Sequence, residues 1–186
     1  MTGESGGDRM ANDLAGQPAA QVLKGSSILA ALKASGIEYI LSVPDIVTSR
    51  GLLFPVANDP DFKLIRVCKE DECLGIASGL AYGGRKALIL VQHTGLLDSV
   101  NALRAVAVEF EQPICMMVGL LEKEPGRAPR QSQRYGVRIV EPLLEAMGIA
   151  CHLIECEADV AKIGPAVAQC YARPQPVVFL VGRRPS

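Results

Sequence analysis

Acidic side chains open a segment whose composition is unusual for a helix. Residues 70–72 are all acidic, follow the apolar run 63–67, and precede a stretch rich in glycine and alanine. Carboxylates favour the first turn of a helix because the helix dipole presents positive charge there. Gly75 and Gly79 are poor helix formers in isolation, which indicates that another surface approaches the helix backbone closely. A carboxyl group at such a junction can also transfer protons, so both interpretations of Glu70 stay open.

A second polar group follows the next apolar run. Residues 92–95 read Gln-His-Thr-Gly directly after the run 87–91. Ligands of open parallel sheets gather at the carboxyl ends of the strands, so this group and Glu70 are expected at one edge. The imidazole of His93 either hydrogen-bonds to the backbone or contacts a substrate, and the sequence favours neither role.

Two further segments could reach the same edge. Pro44 and Asp45 follow the first apolar run, and Asp45 either faces a substrate or caps the helix that follows. The polar loop 121–136 contains several arginines, including Arg127 and Arg130. This loop is either solvated or partner-facing, or its arginines capture an anion such as a carboxylate, sulfonate or phosphonate.

Strands and helices alternate along the chain and must position these segments. Short apolar runs predict six strands, at 39–43, 63–67, 87–91, 113–119, 149–154 and 176–181. Helical patterns separate them, at 18–36, 52–56, 70–83, 97–108, 138–147 and 157–172. Runs that are apolar throughout predict strands buried on both faces. The expected fold is therefore a single three-layer α/β domain with a six-stranded parallel sheet flanked by helices.

Composition narrows the class of protein further. Apolar residues make up 49% of the 186 residues and charged residues 21%, which is typical of a globular domain. The net charge of −1 implies no general attraction to nucleic acid or to an anionic membrane. No apolar run is long enough to span a bilayer. Residues 1–17 are expected to form a disordered tail, and residues 18–186 the domain.

Cysteine and histidine usage argues against a protein-bound metal. None of the six cysteines forms a Cys-x-x-Cys pair, and the two histidines are far apart in the sequence. Most cysteines therefore read as small buried side chains in a reducing cytoplasm. The glycine-rich signatures of dinucleotide and P-loop sites do not occur.

Three segments resemble a known enzyme family. Residues 70–79, EDECLGIASG, are similar to the E-x-x-x-x-G-I-A-x-G pattern of the pyrimidine-binding domain of thiamine-diphosphate enzymes. Residues 91–103, VQHTGLLDSVNAL, are closely similar to the corresponding segment of sulfopyruvate and phosphonopyruvate decarboxylases. Residues 43–45, Val-Pro-Asp, resemble the loop after their first strand. The likeness extends in order and spacing over about residues 20–182.

The resemblance implies roles for individual residues. Glu70 would be the catalytic carboxylate that shares a proton with the aminopyrimidine ring of thiamine diphosphate. The residues that would bind the cofactor are Glu70, Gly75, Gln92, Thr94 and Gly95. The residues that would contact the substrate are Pro44, Asp45, His93, Arg127 and Arg130.

The resemblance also implies a partner chain. The sequence contains no Gly-Asp-Gly followed by the asparagine-bearing stretch that binds Mg²⁺ and diphosphate in this family. The chain would then be the alpha subunit of a two-chain decarboxylase, active only with a beta subunit that holds the Mg²⁺ and the diphosphate. A homodimer of this chain is expected as well. The substrate would be a small anionic 2-oxo acid such as sulfopyruvate or phosphonopyruvate.

Other functions remain compatible with the sequence. His93 and Ile46 differ from the residues common at these positions in the decarboxylases, so the identity of the 2-oxo acid stays open. A carboligase or lyase that uses the same cofactor is one alternative. A non-catalytic α/β subunit that binds a small ligand or regulates a partner is another.

Overall fold

A six-stranded, entirely parallel sheet forms the centre of the molecule. The computed structural model describes residues 22–186, so the expected tail at 1–17 lies outside the described residues. The strand order is β2-β1-β3-β4-β6-β5, and every neighbouring pair is parallel. The strands are β1 (Tyr39–Ser42), β2 (Lys63–Arg66), β3 (Ala87–Gln92), β4 (Cys115–Gly119), β5 (Ala150–Ile154) and β6 (Val177–Val181). The expected α/β sheet is thus confirmed.

Helical segments connect successive strands. The α-helices are α1 (Gly25–Ala34), α2 (Phe54–Ala57), α3 (Glu70–Tyr82), α4 (His93–Asp98), α5 (Val100–Ala102), α6 (Tyr135–Ala146), α7 (Glu157–Val160) and α8 (Ile163–Ala172). Two π-helical segments, Ser49–Leu53 and Leu103–Glu109, adjoin α2 and α5, and a 3₁₀ turn covers Pro129–Gln131. No helix in residues 22–186 combines the length and apolar character needed to cross a membrane.

Two aliphatic cores cover the two faces of the sheet. On one face α1, α2 and α8 pack on strand side chains that include Leu88 and Phe179. On the other face α3, α4, the segment Leu103–Glu109 and α6 pack on side chains that include Ile89 and Met116. All side chains of β4 and β6 are buried, as their apolar runs predict.

Some helix boundaries differ from the sequence prediction. Helix α4 begins at His93, directly after β3, whereas the helical pattern predicts a start at 97. The pattern at 157–172 divides into α7 and α8. Pro165 has no N–H and is accommodated in the first turn of α8, which explains why a new helix begins just before it.

The strand order places a topological switch point at the carboxyl ends of β1 and β3. The chain leaves β1 toward β2 on one side, whereas β3 pairs with the other side of β1. In open α/β sheets, loops that diverge at such a topological switch point leave a ligand-sized crevice at the carboxyl ends of the strands. Here the diverging segments are those after β1 and β3.

Candidate functional site

The Glu70 side chain packs directly on the backbone of Gly95. Glu70 is the first residue of α3 and is half-buried, and Gly95 lies buried in the first turn of α4. A Cβ atom on Gly95 would lie 2.4 Å from Cγ and 2.5 Å from Oε1 of Glu70, so only glycine leaves room for this side chain. The two sequence-predicted residues therefore lie together at the carboxyl edge of the sheet.

A hydrogen-bond chain connects three further candidate residues at this edge. The hydroxyl of Thr94 donates to Oε1 of Gln92 at 2.9 Å, and Nε2 of Gln92 donates to Oδ1 of Asp45 at 3.2 Å. Thr94 is exposed, Gln92 is half-buried and Asp45 is buried. The hydrogen-bond chain thus bridges the segments after β1 and β3, from an exposed residue to a buried one.

Asp45 also caps the helical turn that follows it. Its carboxylate accepts the backbone N–H groups of Val47 at 2.8 Å and Thr48 at 3.1 Å, and the Thr48 hydroxyl at 2.6 Å. These bonds realise the capping role that the sequence left open for this residue. Pro44, next to it, is exposed at the same edge.

His93 lies on the inner side of α4. The residue is 6% exposed, and its Nδ1 accepts the N–H of Leu121 at 3.3 Å. Burial lowers the pKa of His93, against opposing effects of the Gly119 backbone and the Asp45 charge, so the ring is mainly neutral at pH 7. A Cβ on Gly136 would lie 3.0 Å from its Nε2. These contacts favour the backbone-binding role, in which His93 ties α4 to the end of β4 and the start of α6.

The two candidate arginines of the loop pair with nearby carboxylates. The guanidinium of Arg127 lies 3.8 Å from Glu124. Nη2 of Arg130 lies 2.6 Å from Oε2 of Glu145, near the end of α6. Helix α6 leads from the carboxyl end of β4 to the start of β5. Its last turn therefore lies toward the amino ends of the strands, opposite the edge that carries Glu70. Arg130 is therefore directed away from the site around Glu70.

Gly75 lies apart from the Glu70 carboxylate. It is exposed on α3, five residues after Glu70 and therefore about 140° around the helix axis. A Cβ on Gly75 or on Gly79 would have no neighbour within 4 Å, so this face of α3 is open in the described residues. Glu70 and the two glycines, Gly75 and Gly79, therefore lie on different faces of α3.

Sequence reasoning missed two residues that shape the site. A Cβ on Gly119 would lie 2.5 Å from Oδ2 of Asp45, so glycine at the end of β4 makes room for that carboxylate. Thr48 completes the Asp45 cap. The spacing Asp-x-x-Thr in 45–48 was the available signal for Thr48, whereas nothing local marked Gly119. Within residues 22–186, no group of three or more His, Cys, Asp and Glu side chains is arranged to hold a metal ion.

Fold and site together define a parallel α/β domain with a carboxylate-containing crevice at its topological switch point. No family model matches the chain. The chain is 29% identical over 164 residues to sulfopyruvate decarboxylase subunit alpha of Methanocaldococcus jannaschii, which covers 85% of this chain and 93% of the relative.

Two more curated relatives carry the same name and match over a shorter stretch. Sulfopyruvate decarboxylase subunit alpha of Methanothermobacter thermautotrophicus is 36% identical over 92 residues, and that of Methanococcus maripaludis is 30% identical over 92 residues. These matches cover 50% of this chain, and 55% and 54% of the two relatives, so they span about half the length of those proteins. The comparisons confirm the resemblance that residues 70–79 and 91–103 indicate.

Proposed function

We propose that this chain is the pyrimidine-binding alpha subunit of a two-chain, thiamine-diphosphate-dependent decarboxylase of a small 2-oxo acid such as sulfopyruvate. The observation that carries the proposal is the likeness to sulfopyruvate decarboxylase subunit alpha over 85% of the chain. The position of Glu70, half-buried against Gly95 at the ligand-binding edge of the sheet, supports it.

The residues at this edge fit a flat heterocycle with polar substituents. Gly95 brings the backbone of α4 so close to Glu70 that the carboxylate is held at the crevice rather than folded into the core. Gln92 and Thr94 add an amide and a hydroxyl on the next strand-to-helix junction. A half-buried carboxylate, an amide and a hydroxyl can hold an aminopyrimidine by hydrogen bonds.

When bound, thiamine diphosphate supplies the electron sink that a 2-oxo acid needs in order to lose CO₂. Glu70 would hold the aminopyrimidine by sharing a proton between its carboxyl group and the ring nitrogen, which would set the tautomer of the ring. Gln92 and Thr94 orient the ring. The diphosphate and Mg²⁺ are held by the companion beta chain.

Replacing Glu70 by glutamine tests the assignment. The variant keeps the size and a hydrogen-bonding group but cannot hold the shared proton, so CO₂ release should fall by about 100-fold or more. Thiamine diphosphate should still bind. The measurement is CO₂ release by the chain co-expressed with a companion chain, across pyruvate, sulfopyruvate, phosphonopyruvate and aromatic 2-oxo acids.

Glu72→Gln is the matched control, because it removes the same charge from an exposed position in the same helical turn. This variant should retain normal turnover. Near-normal turnover by Glu70→Gln would refute the role of Glu70. Robust CO₂ release by the purified chain with only the cofactor, Mg²⁺ and a 2-oxo acid would refute the two-chain arrangement.

A further inference from the structure

The acceptor positions of the Asp45 carboxylate are used inside the protein. Oδ1 accepts from Val47 N–H and from Gln92 Nε2, and Oδ2 accepts from the Thr48 N–H and the Thr48 hydroxyl. An ionised carboxylate offers about four lone-pair sites, and these four bonds fill them. With the side chain only 3% exposed, Asp45 has little capacity left to bind a substrate group directly.

Asp45 nevertheless determines how its neighbour faces the crevice. A carboxylate can only accept hydrogen bonds, so the Gln92 amide must turn its nitrogen toward Asp45. The Gln92 oxygen then points to Thr94 and accepts a hydrogen bond from the Thr94 hydroxyl. As a result the Thr94 oxygen keeps its lone pairs for a donor at the exposed edge.

The close approach to Gly119 holds Asp45 in this position. Oδ2 lies so near the Gly119 backbone that a Cβ there would come within 2.5 Å of it. The carboxylate therefore contacts the ends of β1, β3 and β4 at once. Its orientation is therefore set both by the strand ends and by the turn at residues 47 and 48.

We propose that Asp45 is a positioning residue, which fixes the Gln92 amide so that Thr94 presents a hydrogen-bond acceptor to the ligand at this edge. The ligand group opposite Thr94 is then a donor, such as an exocyclic amino group of a heterocycle. The identity of that ligand rests on the proposed function. The orientation of Gln92 by Asp45 does not depend on the proposed function.

Reversing the polarity of the bond tests the inference. Gln92→Glu places two carboxylates against each other at the Asp45 contact, and their repulsion should destabilise the chain and impair turnover. When Asp45→Asn is added, the new amide at position 45 can donate a hydrogen bond to the new carboxylate at position 92. That carboxylate can still accept the hydrogen bond from Thr94. Thermal unfolding of the chain and kcat/KM of the co-expressed complex are measured for both single variants and the double variant.

Relative to the product of the two single effects, the double variant should have an unfolding equilibrium constant about tenfold lower and a kcat/KM about tenfold higher. Thr48→Val is the control partner, because it removes a bond to Asp45 but leaves the Gln92 contact. Combined with Gln92→Glu it should give additive effects in both measurements.

Additive effects of Asp45→Asn and Gln92→Glu in unfolding would overturn the inference. So would unfolding coupling without any rescue of kcat/KM, because Asp45 would then be only structural. If the wild-type complex released no CO₂ from any 2-oxo acid, the proposed function would fail, and coupling in unfolding would still decide whether Asp45 orients Gln92.

Discussion

At Gly95 the backbone of α4 touches the Glu70 side chain, so the residue type at 95 sets where that carboxylate lies. A methyl group on residue 95 would be 2.4 Å from Glu70 Cγ, closer than real contacts allow. The flexible glutamate would move rather than the two helices. Gly95 therefore affects the site by leaving space for the Glu70 side chain, and this effect does not depend on which ligand binds.

Gly95→Ala is accordingly expected to displace Glu70 without unfolding the chain. Stability should change by no more than about 1 kcal/mol, because alanine suits a helix better than glycine. CO₂ release should fall by about 100-fold, the scale associated with a 1 Å misplacement of a reacting group. Steady-state kinetics of the co-expressed complex and thermal unfolding measure the two effects.

Gly164→Ala provides the control for this substitution. Gly164 also lies in a helix, but an added Cβ would meet only the Ser35 hydroxyl, at 3.9 Å. The turnover of the Gly164→Ala variant should equal that of the wild type. If Gly95→Ala were as active as Gly164→Ala, the position of Glu70 would not matter for the reaction.

The segment 120–134, which connects β4 to α6, contains its own hydrogen bonds. Glu124 accepts from the Ser132 hydroxyl at 2.7 Å and from Gln133 N–H at 2.8 Å. The buried ammonium group of Lys123 pairs with Glu155 at 2.5 Å. These hydrogen bonds and this ion pair give the segment a framework within this chain.

This framework predicts a pH dependence centred on Glu124. The Ser132 hydroxyl, followed by Gln133 N–H, lowers the pKa of Glu124 from 4.5 to about 2. Because the pKa is lower in the folded chain, the stabilisation is fully present above about pH 4.5 and is lost as the pH falls toward 2. Ser132→Ala should raise the pKa of Glu124 and speed amide exchange in the loop.

Carbon-detected NMR titration of the Glu124 carboxyl group and hydrogen exchange of the loop measure these changes. Arg127→Gln is the comparison, because the charge of Arg127 is the smallest of the causes that lower this pKa. It should move the pKa less than Ser132→Ala does. An equal or larger shift from Arg127→Gln would contradict the hydrogen-bond account.

At the scale of the whole molecule, one face of α3 is open in the part of the chain that the structure describes. Gly75 and Gly79 are exposed there and leave the helix backbone accessible. Such residues weaken an isolated helix, so their presence is explained if another backbone packs against them. This is consistent with the proposed assembly with a companion chain and with a homodimer.

Gly79→Ala should therefore have opposite effects on the chain and on its assembly. The isolated chain should gain up to about 1 kcal/mol of stability, because alanine favours the helix. Association with the companion chain, or self-association, should weaken, because the methyl group occupies the contact. Thermal unfolding and sedimentation velocity measure the two effects, with Gly164→Ala as the control. If Gly79→Ala changed neither association with the companion chain nor self-association, the open face of α3 would not contact a partner.

Much of the fold could be predicted because buried strands have a local signature. The runs 87–91 and 176–181 are apolar throughout, and each became a strand covered on both faces. The start of α4 at His93 could not be predicted, because Gln-His-Thr-Gly has no helical apolar pattern. That helix begins where it does because His93 is buried against the end of β4.

The sequence by itself determined the parallel α/β class, since that class depends on local apolar runs and their order. Glu70 became the leading candidate through the resemblance of residues 70–79 to a known enzyme family. Tertiary structure alone decided which candidates meet. It brought Glu70 onto Gly95 and joined Asp45 to Gln92 across 47 residues of sequence, whereas it turned Arg130 toward Glu145. Hydrogen bonds and steric contacts act over a few ångströms in space, and residues far apart in sequence reach that range only in the folded chain.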